Sequence, residues 1–179
     1  VFMTAASPGL VAHFCKNEYY ASEEAYLSAL ADAMKVEYDA IHGSGLVLQV
    51  DCPDLTMSGW ERLGYSHGDL NRIRALHVEA LNHALRDIPA DQLRMHLCWG
   101  NYEGPHHLDT PFEDIIDFAL RARPGGPLIR GRQSPSRARM DPVREARTTI
   151  RQVADPGGAG FDYQLHRASR ARTAADRPL

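Results

Sequence analysis

Lysine is nearly absent from this 179-residue chain, which holds only Lys16 and Lys35. Cysteine is scarce too. Cys15, Cys52 and Cys98 are odd in number and widely spaced, which argues against a disulfide framework and for a reducing, cytoplasmic setting. No apolar stretch approaches the ~20 residues needed to cross a bilayer, and the first residues lack the basic-then-apolar pattern of an export signal. Charge of one sign is missing as well: 20 basic side chains face 23 acidic ones, for a net charge of −3. That balance gives no reason to expect nucleic acid or an anionic membrane as partner. What is present is a hydrophobic content of 44%, enough for the core of one domain of ordinary size.

The composition breaks near Pro124-Gly125-Gly126. Before the break, apolar runs alternate with amphipathic stretches. Val1-Phe2-Met3-Thr4 reads as the end of a strand. Ser22, followed by Glu23 and Glu24, is a helix start with acidic residues at the positive end of the dipole. Tyr26, Leu27, Leu30, Met34, Val36 and Tyr38 carry that helix to about Ile41, where Gly43-Ser44-Gly45 stops it. Leu46 to Val50 is a short apolar run of the buried parallel-strand type, ending in Asp51-Cys52-Pro53-Asp54. Ser66 can cap a second helix carrying Leu70, Ile73, Leu76, Val78, Leu81, Leu85 and Ile88. Arg94 to Trp99 is the next strand, and Thr110-Pro111-Phe112-Glu113 is the start signal of a third helix that runs on through Ile115, Ile116, Phe118 and Leu120.

Strand, loop and helix in alternation predict an α/β fold with a parallel sheet. The loops after the strands are long and rich in Asp, His, Asn and Gly, as on the active-site face of a β/α-barrel. Residues 1–124 are therefore expected to form part of a (β/α)8 barrel, since three or so βα units cannot close one.

Three residues stand where such a barrel carries chemistry. His96 and Cys98, two apart at a strand end, would project from one face and offer zinc the nitrogen and sulfur it favours. They also fit a satisfied core histidine and a buried cysteine. Asp51 closes the preceding strand, where it can receive a cationic group such as an amino-acid ammonium; it also fits a turn-forming aspartate ahead of Pro53. Cys52 should point to the opposite face and pack. His106 and His107 are further ligand candidates, while Trp99, Asn101, Tyr102 and Glu103 could line a pocket.

Met3-Thr4-Ala5-Ala6-Ser7-Pro8, Leu48-Gln49-Val50-Asp51-Cys52-Pro53-Asp54-Leu55 and Met95-His96-Leu97-Cys98-Trp99-Gly100-Asn101, in this order and spacing, resemble the catalytic barrel of cobalamin-independent methionine synthases and their single-barrel relatives. The resemblance spans roughly residues 1–124. It implies a TIM barrel of the methionine synthase and uroporphyrinogen decarboxylase-like type. It further implies a zinc-dependent, cytoplasmic methyltransferase of methionine biosynthesis that moves a methyl group from a methyltetrahydrofolate to a thiol such as homocysteine. On this likeness His96 and Cys98 are zinc ligands, and Asp51 binds the amino group of the acceptor. The family's glutamate ligand on the next strand and its later cysteine ligand have no counterpart here. Cys52-Pro53-Asp54-Leu55 also departs from the Glu-Pro-Ala-Leu of true methionine synthases. An inactive truncated fragment of such an enzyme and a related alkyl-thiol transferase are the alternative readings.

Residues 125–179 form an Arg-rich tail without lysine, holding Arg130, Arg132, Arg137, Arg139, Arg144, Arg147, Arg151, Arg167, Arg170, Arg172 and Arg177. Its apolar residues give no sustained period, so it is expected to be irregular. The arginines are scattered singly rather than clustered with aromatic stacking platforms, which disfavours a nucleic-acid arm. Back-translated into permissible codons and read one base later, Leu128 to Arg137 can encode a strand-like stretch containing a glutamate, and Gly158 to Ser169 a second family-like stretch. The tail thus reads as an out-of-frame segment. Sequencing of the coding DNA that met early stop codons in the shifted frame would refute this.

Overall fold

The computed structural model describes residues 1–56, 66–99 and 109–124, together with the backbone of three later strands. Strand β1 (Phe2–Ala6) leads into helices α1 (Pro8–Phe14) and α2 (Glu23–Gly43). Strand β2 (Val47–Asp51) is followed by a 3-10 turn (Pro53–Leu55) and helix α3 (His67–Ala84). Strand β3 (Leu93–Leu97) precedes a second such turn (Phe112–Asp114) and the short helix α4 (Ile116–Arg121).

Local chemistry sets these boundaries. Ser7 is extended and its hydroxyl accepts from the Leu10 N–H, with Pro8 pre-set for the first turn of α1. Ser22 caps α2 in the same way through the Ala25 N–H. That helix stops at a C-terminal turn in which Gly45 adopts φ +77°, a backbone state that glycine enters without steric cost. Ser66 and Asp69 form a reciprocal capping box at the start of α3. No helix among the described residues is long and apolar enough to cross a membrane.

Thr110 does not take the capping role its sequence context predicts. The Arg74 guanidinium is buried, donating to the Leu55 carbonyl at 3.1 Å, to Asn71 Oδ1 at 3.2 Å and to Thr110 Oγ1 at 3.1 Å. A desolvated cation needs its acceptors more than a helix end needs one cap, and Thr110 serves the cation. The chain then enters the 3-10 turn through Pro111 without a side-chain cap, and α4 is only six residues long.

Strands β1, β2, β3 and β4 (Pro127–Gly131) lie side by side in chain order and all parallel. The helices that connect these sequential neighbours pack together on one face of the sheet. Leu48, Val50, Leu93, Met95 and Leu97 are buried with Leu27, Ala31, Tyr38, Ile41, Val78, Leu81 and Ala84 of α2 and α3. Side chains of the alternate set, at Gln49, Asp51, Arg94 and His96, project from the other face. The described strands form an open sheet, and no closed barrel is present among them.

Beyond β4 the sheet continues antiparallel through β6 (Phe161–His166) to β5 (Thr149–Ala154) at its far edge. These strands occupy parts of the tail expected to be irregular. The signal in the sequence is local: Phe161, Tyr163 and Leu165 alternate with polar residues over one short run, too brief to set a period for the tail as a whole.

Candidate functional site at the strand ends

The register of the parallel sheet aligns Ala6, Asp51 and His96 in one row across the C-terminal ends of β1, β2 and β3. The ladder runs one step further. The Ser7 N–H donates to the Asp51 carbonyl at 3.0 Å, and the Cys52 N–H to the His96 carbonyl at 2.9 Å. Backbone pairing up to the last residue fixes where the Asp51 and His96 side chains start. His96 Nδ1 lies 3.2 Å from Asp51 Oδ1 on the face without helices. Both groups are partly accessible, with 20% of the His96 side chain and 36% of the Asp51 side chain exposed.

Gln49 stands two residues before Asp51 on the same face, paired in register with Thr4 on one side and Arg94 on the other. Its Nε2 approaches Asp51 Oδ1 at 3.4 Å. Arg94 places its guanidinium 4.4 Å from the centre of the Phe2 ring, a cation–π contact on that face.

Cys98 lies just past β3 and is partly exposed. Its carbonyl accepts a hydrogen bond from the Thr56 hydroxyl, tying the end of β3 to the turn after β2. Trp99 donates from its indole N–H to the Thr110 carbonyl at 2.8 Å and packs edge-on against Phe112, which anchors the next stretch of chain. His96 and Cys98 therefore leave one strand end two residues apart, with Asp51 touching the histidine. Among the described residues no group of three or more His, Cys, Asp or Glu is placed to hold a metal ion. The donors are of the right chemistry for zinc, but they make half of a tetrahedral set. His106, His107, Asn101, Tyr102 and Glu103 lie outside the described residues.

No family model, curated protein or solved structure gives a significant match to this chain.

Cys52 is fully buried, and burial pushes its thiol well above the usual range. It packs in the core behind the row that carries Asp51.

A second polar constellation escaped the sequence reading. Asp54 accepts from the Ser7 hydroxyl at 2.6 Å through one carboxylate oxygen and meets His77 Nδ1 at 2.9 Å through the other. All three residues are buried. The available signal was His77 itself, which shares the apolar face of α3 with Leu70, Ile73 and Leu81 at helical spacing. Gly9 lies so close to this pair that a Cβ there would collide with Asp54 Oδ2 and His77 Nδ1. Ser7 and His77 both turn toward the carboxylate rather than toward each other, so the hydroxyl is not set up as a nucleophile activated by the imidazole. The network clamps the end of β1, the turn after β2 and α3 together, supporting the strand ends from behind. A cleft of about 290 Å³ beside it, lined by His13, Leu27, Arg72, Leu76 and His77, belongs to the helical layer rather than to the face of Asp51 and His96.

Proposed function

We propose that this chain is part of a zinc-dependent methyltransferase barrel of the cobalamin-independent methionine synthase type, acting on a small thiol such as homocysteine with a methyltetrahydrofolate as donor. The observation that carries the reading is the alignment of Asp51 with His96 at 3.2 Å, on adjacent parallel strand ends and on the helix-free face. Barrel enzymes assemble their chemistry at that end of their strands, and the sequential parallel winding is the kind from which such a barrel is built.

In this reading His96 and Cys98 hold the metal, with the remaining donors supplied from outside the described residues. Zinc, when bound, keeps an acceptor thiol deprotonated at neutral pH, where a free thiol with a pKa near ~8.5 is mostly protonated. Asp51 orients the His96 ring through Nδ1, leaving Nε2 as the metal-facing nitrogen. The exposed part of the same carboxylate receives the ammonium of an amino-acid thiol. The Thr56 hydroxyl, holding the Cys98 carbonyl, fixes the cysteine backbone. These residues contribute by positioning. The partners are small molecules, and the three thiols suit a cytosolic setting.

A second reading, an inactive piece of such an enzyme, draws on the lack of a third donor among the described residues. Metal analysis after gel filtration tests the first reading. Zinc should co-purify with the wild-type chain near stoichiometrically and be lost in both His96→Ala and Cys98→Ser. Zinc retained unchanged in Cys98→Ser would sink the ligand assignment. A wild type that retains no zinc supports the inactive piece. Methyl transfer to homocysteine, compared with other thiols, separates the synthase from an alkyl-thiol transferase.

A further inference from the structure

Gln49 is 7% exposed, and its buried side-chain Oε1 has no hydrogen-bond partner among the described residues. An amide oxygen withdrawn from water costs free energy unless a donor reaches it. The orientation of this amide is not arbitrary. Nε2 faces Asp51 Oδ1 at 3.4 Å, and turning the group over would set an amide oxygen against a carboxylate. The cation across the ladder does not relieve it, because the Arg94 guanidinium is directed over the Phe2 ring. A carbonyl acceptor thus stands beside a carboxylate on one face of one strand, at the end where His96 projects.

We propose that Gln49 is a specificity residue: its Oε1 accepts an N–H of the substrate ammonium held by Asp51, so that the site selects amino thiols over thiols lacking the amine. The inference rests on the methyl-transfer reading above and goes beyond it by naming a second acceptor for the amino group. A primary ammonium has three donors, and one carboxylate cannot take all of them. A neutral carbonyl next to that carboxylate adds an acceptor without adding a second charge to be desolvated. A thiol without the amine leaves Oε1 as it is in the free protein and gains nothing from it. This is how a site built to hydrogen-bond one substrate group rejects the analogue without it.

The test is calorimetric titration of the zinc-loaded chain with homocysteine and with 4-mercaptobutyrate, which is homocysteine without its amino group. The wild type should bind homocysteine at least tenfold more tightly. Gln49→Met keeps the length of the side chain and removes the acceptor. It should erase most of that ratio while leaving zinc content and 4-mercaptobutyrate affinity within about threefold of wild type. Gln49→Asn, polar but one methylene shorter, should lose the ratio as well. An unchanged ratio in Gln49→Met or Gln49→Asn overturns the inference alone. Equal weakening of both thiols also overturns it, since that marks a structural role. A wild type that binds neither thiol and holds no zinc overturns the methyl-transfer reading, and this inference with it.

Discussion

Asp51 and His96 are register partners on adjacent parallel strands, and the carboxylate of one lies 3.2 Å from the imidazole of the other. The contact joins two strand ends that are 45 residues apart in the chain. Both side chains are partly exposed, so the pair is of modest value to stability, as accessible ion pairs generally are. Asp51→Ala should therefore shift the melting temperature by no more than a few degrees. Homocysteine affinity should fall by tenfold or more, the order of one charge-assisted hydrogen bond of about 1.5–3 kcal/mol. Differential scanning calorimetry and titration of the same sample give both readouts. A large loss of Tm with unchanged affinity would make Asp51 a structural residue.

The three thiols should separate cleanly by reactivity. Cys15 is exposed, Cys98 is partly exposed, and Cys52 is fully buried with its thiol pushed up by desolvation. Thiolate is the reactive form, so iodoacetamide at neutral pH should modify Cys15 and Cys98 in the native protein and reach Cys52 only after denaturation. Zinc should slow modification of Cys98 and leave Cys15 unaffected. Peptide mapping by mass spectrometry reads all three. Equal modification of Cys98 with and without zinc would count against its role as a ligand.

The buried Ser7–Asp54–His77 network makes a different demand. Removing one member of a buried polar set strands its partners away from water, which costs about 1–3 kcal/mol for each group left unsatisfied. Asp54→Ala leaves the Ser7 hydroxyl and His77 Nδ1 without the acceptor they share. The expected loss is of that order by urea unfolding, which is a large fraction of a domain's stability. Gly9→Ala should be costly as well, because the added methyl meets the carboxylate and imidazole rather than open space. If Asp54→Ala unfolds at the wild-type urea midpoint, the network is not holding the strand ends.

The elements were legible where short-range chemistry decides them. Ser22 and Ser66 cap the helices they precede, Gly45 ends α2 in a positive-φ turn, and the apolar runs before Asp51 and Cys98 are strands. Position along a strand could also be read, since the Gln49/Asp51 and Arg94/His96 pairs are fixed to one face by the two-residue period. What sequence could not supply was pairing across distance. Nothing in the sequence around Asp54 points to Ser7 and His77, which close around it from 47 and 23 residues away. Thr110 reads as a cap until the buried Arg74 claims its hydroxyl from 36 residues away. Of the tail strands, β6 alternates over only six residues, while β4 and β5 carry no alternation that would mark them as strands.

On the alkaline side, Tyr38 and Cys52 set the expected pH dependence. Tyr38 is buried, its hydroxyl donates to the Ala6 carbonyl, and burial drives its ionisation far above the ordinary phenol range. Cys52 is shifted the same way for the same reason. A group whose folded pKa lies above its unfolded value contributes stability that is complete below the unfolded pKa and is lost as pH rises past it. Stability should thus hold up to pH about 8.5, where an unfolded cysteine begins to ionise, and fall more steeply above about 10, where an unfolded tyrosine does. Tyr38→Phe separates the two contributions. It abandons the Ala6 carbonyl and should lower stability at neutral pH by about 1 kcal/mol. With no phenol left to ionise at this position, the loss of stability above pH 10 should flatten relative to wild type. Urea midpoints measured from pH 7 to 11 on both proteins test this, and parallel curves would show that Tyr38 ionises as freely in the folded chain as in the unfolded one.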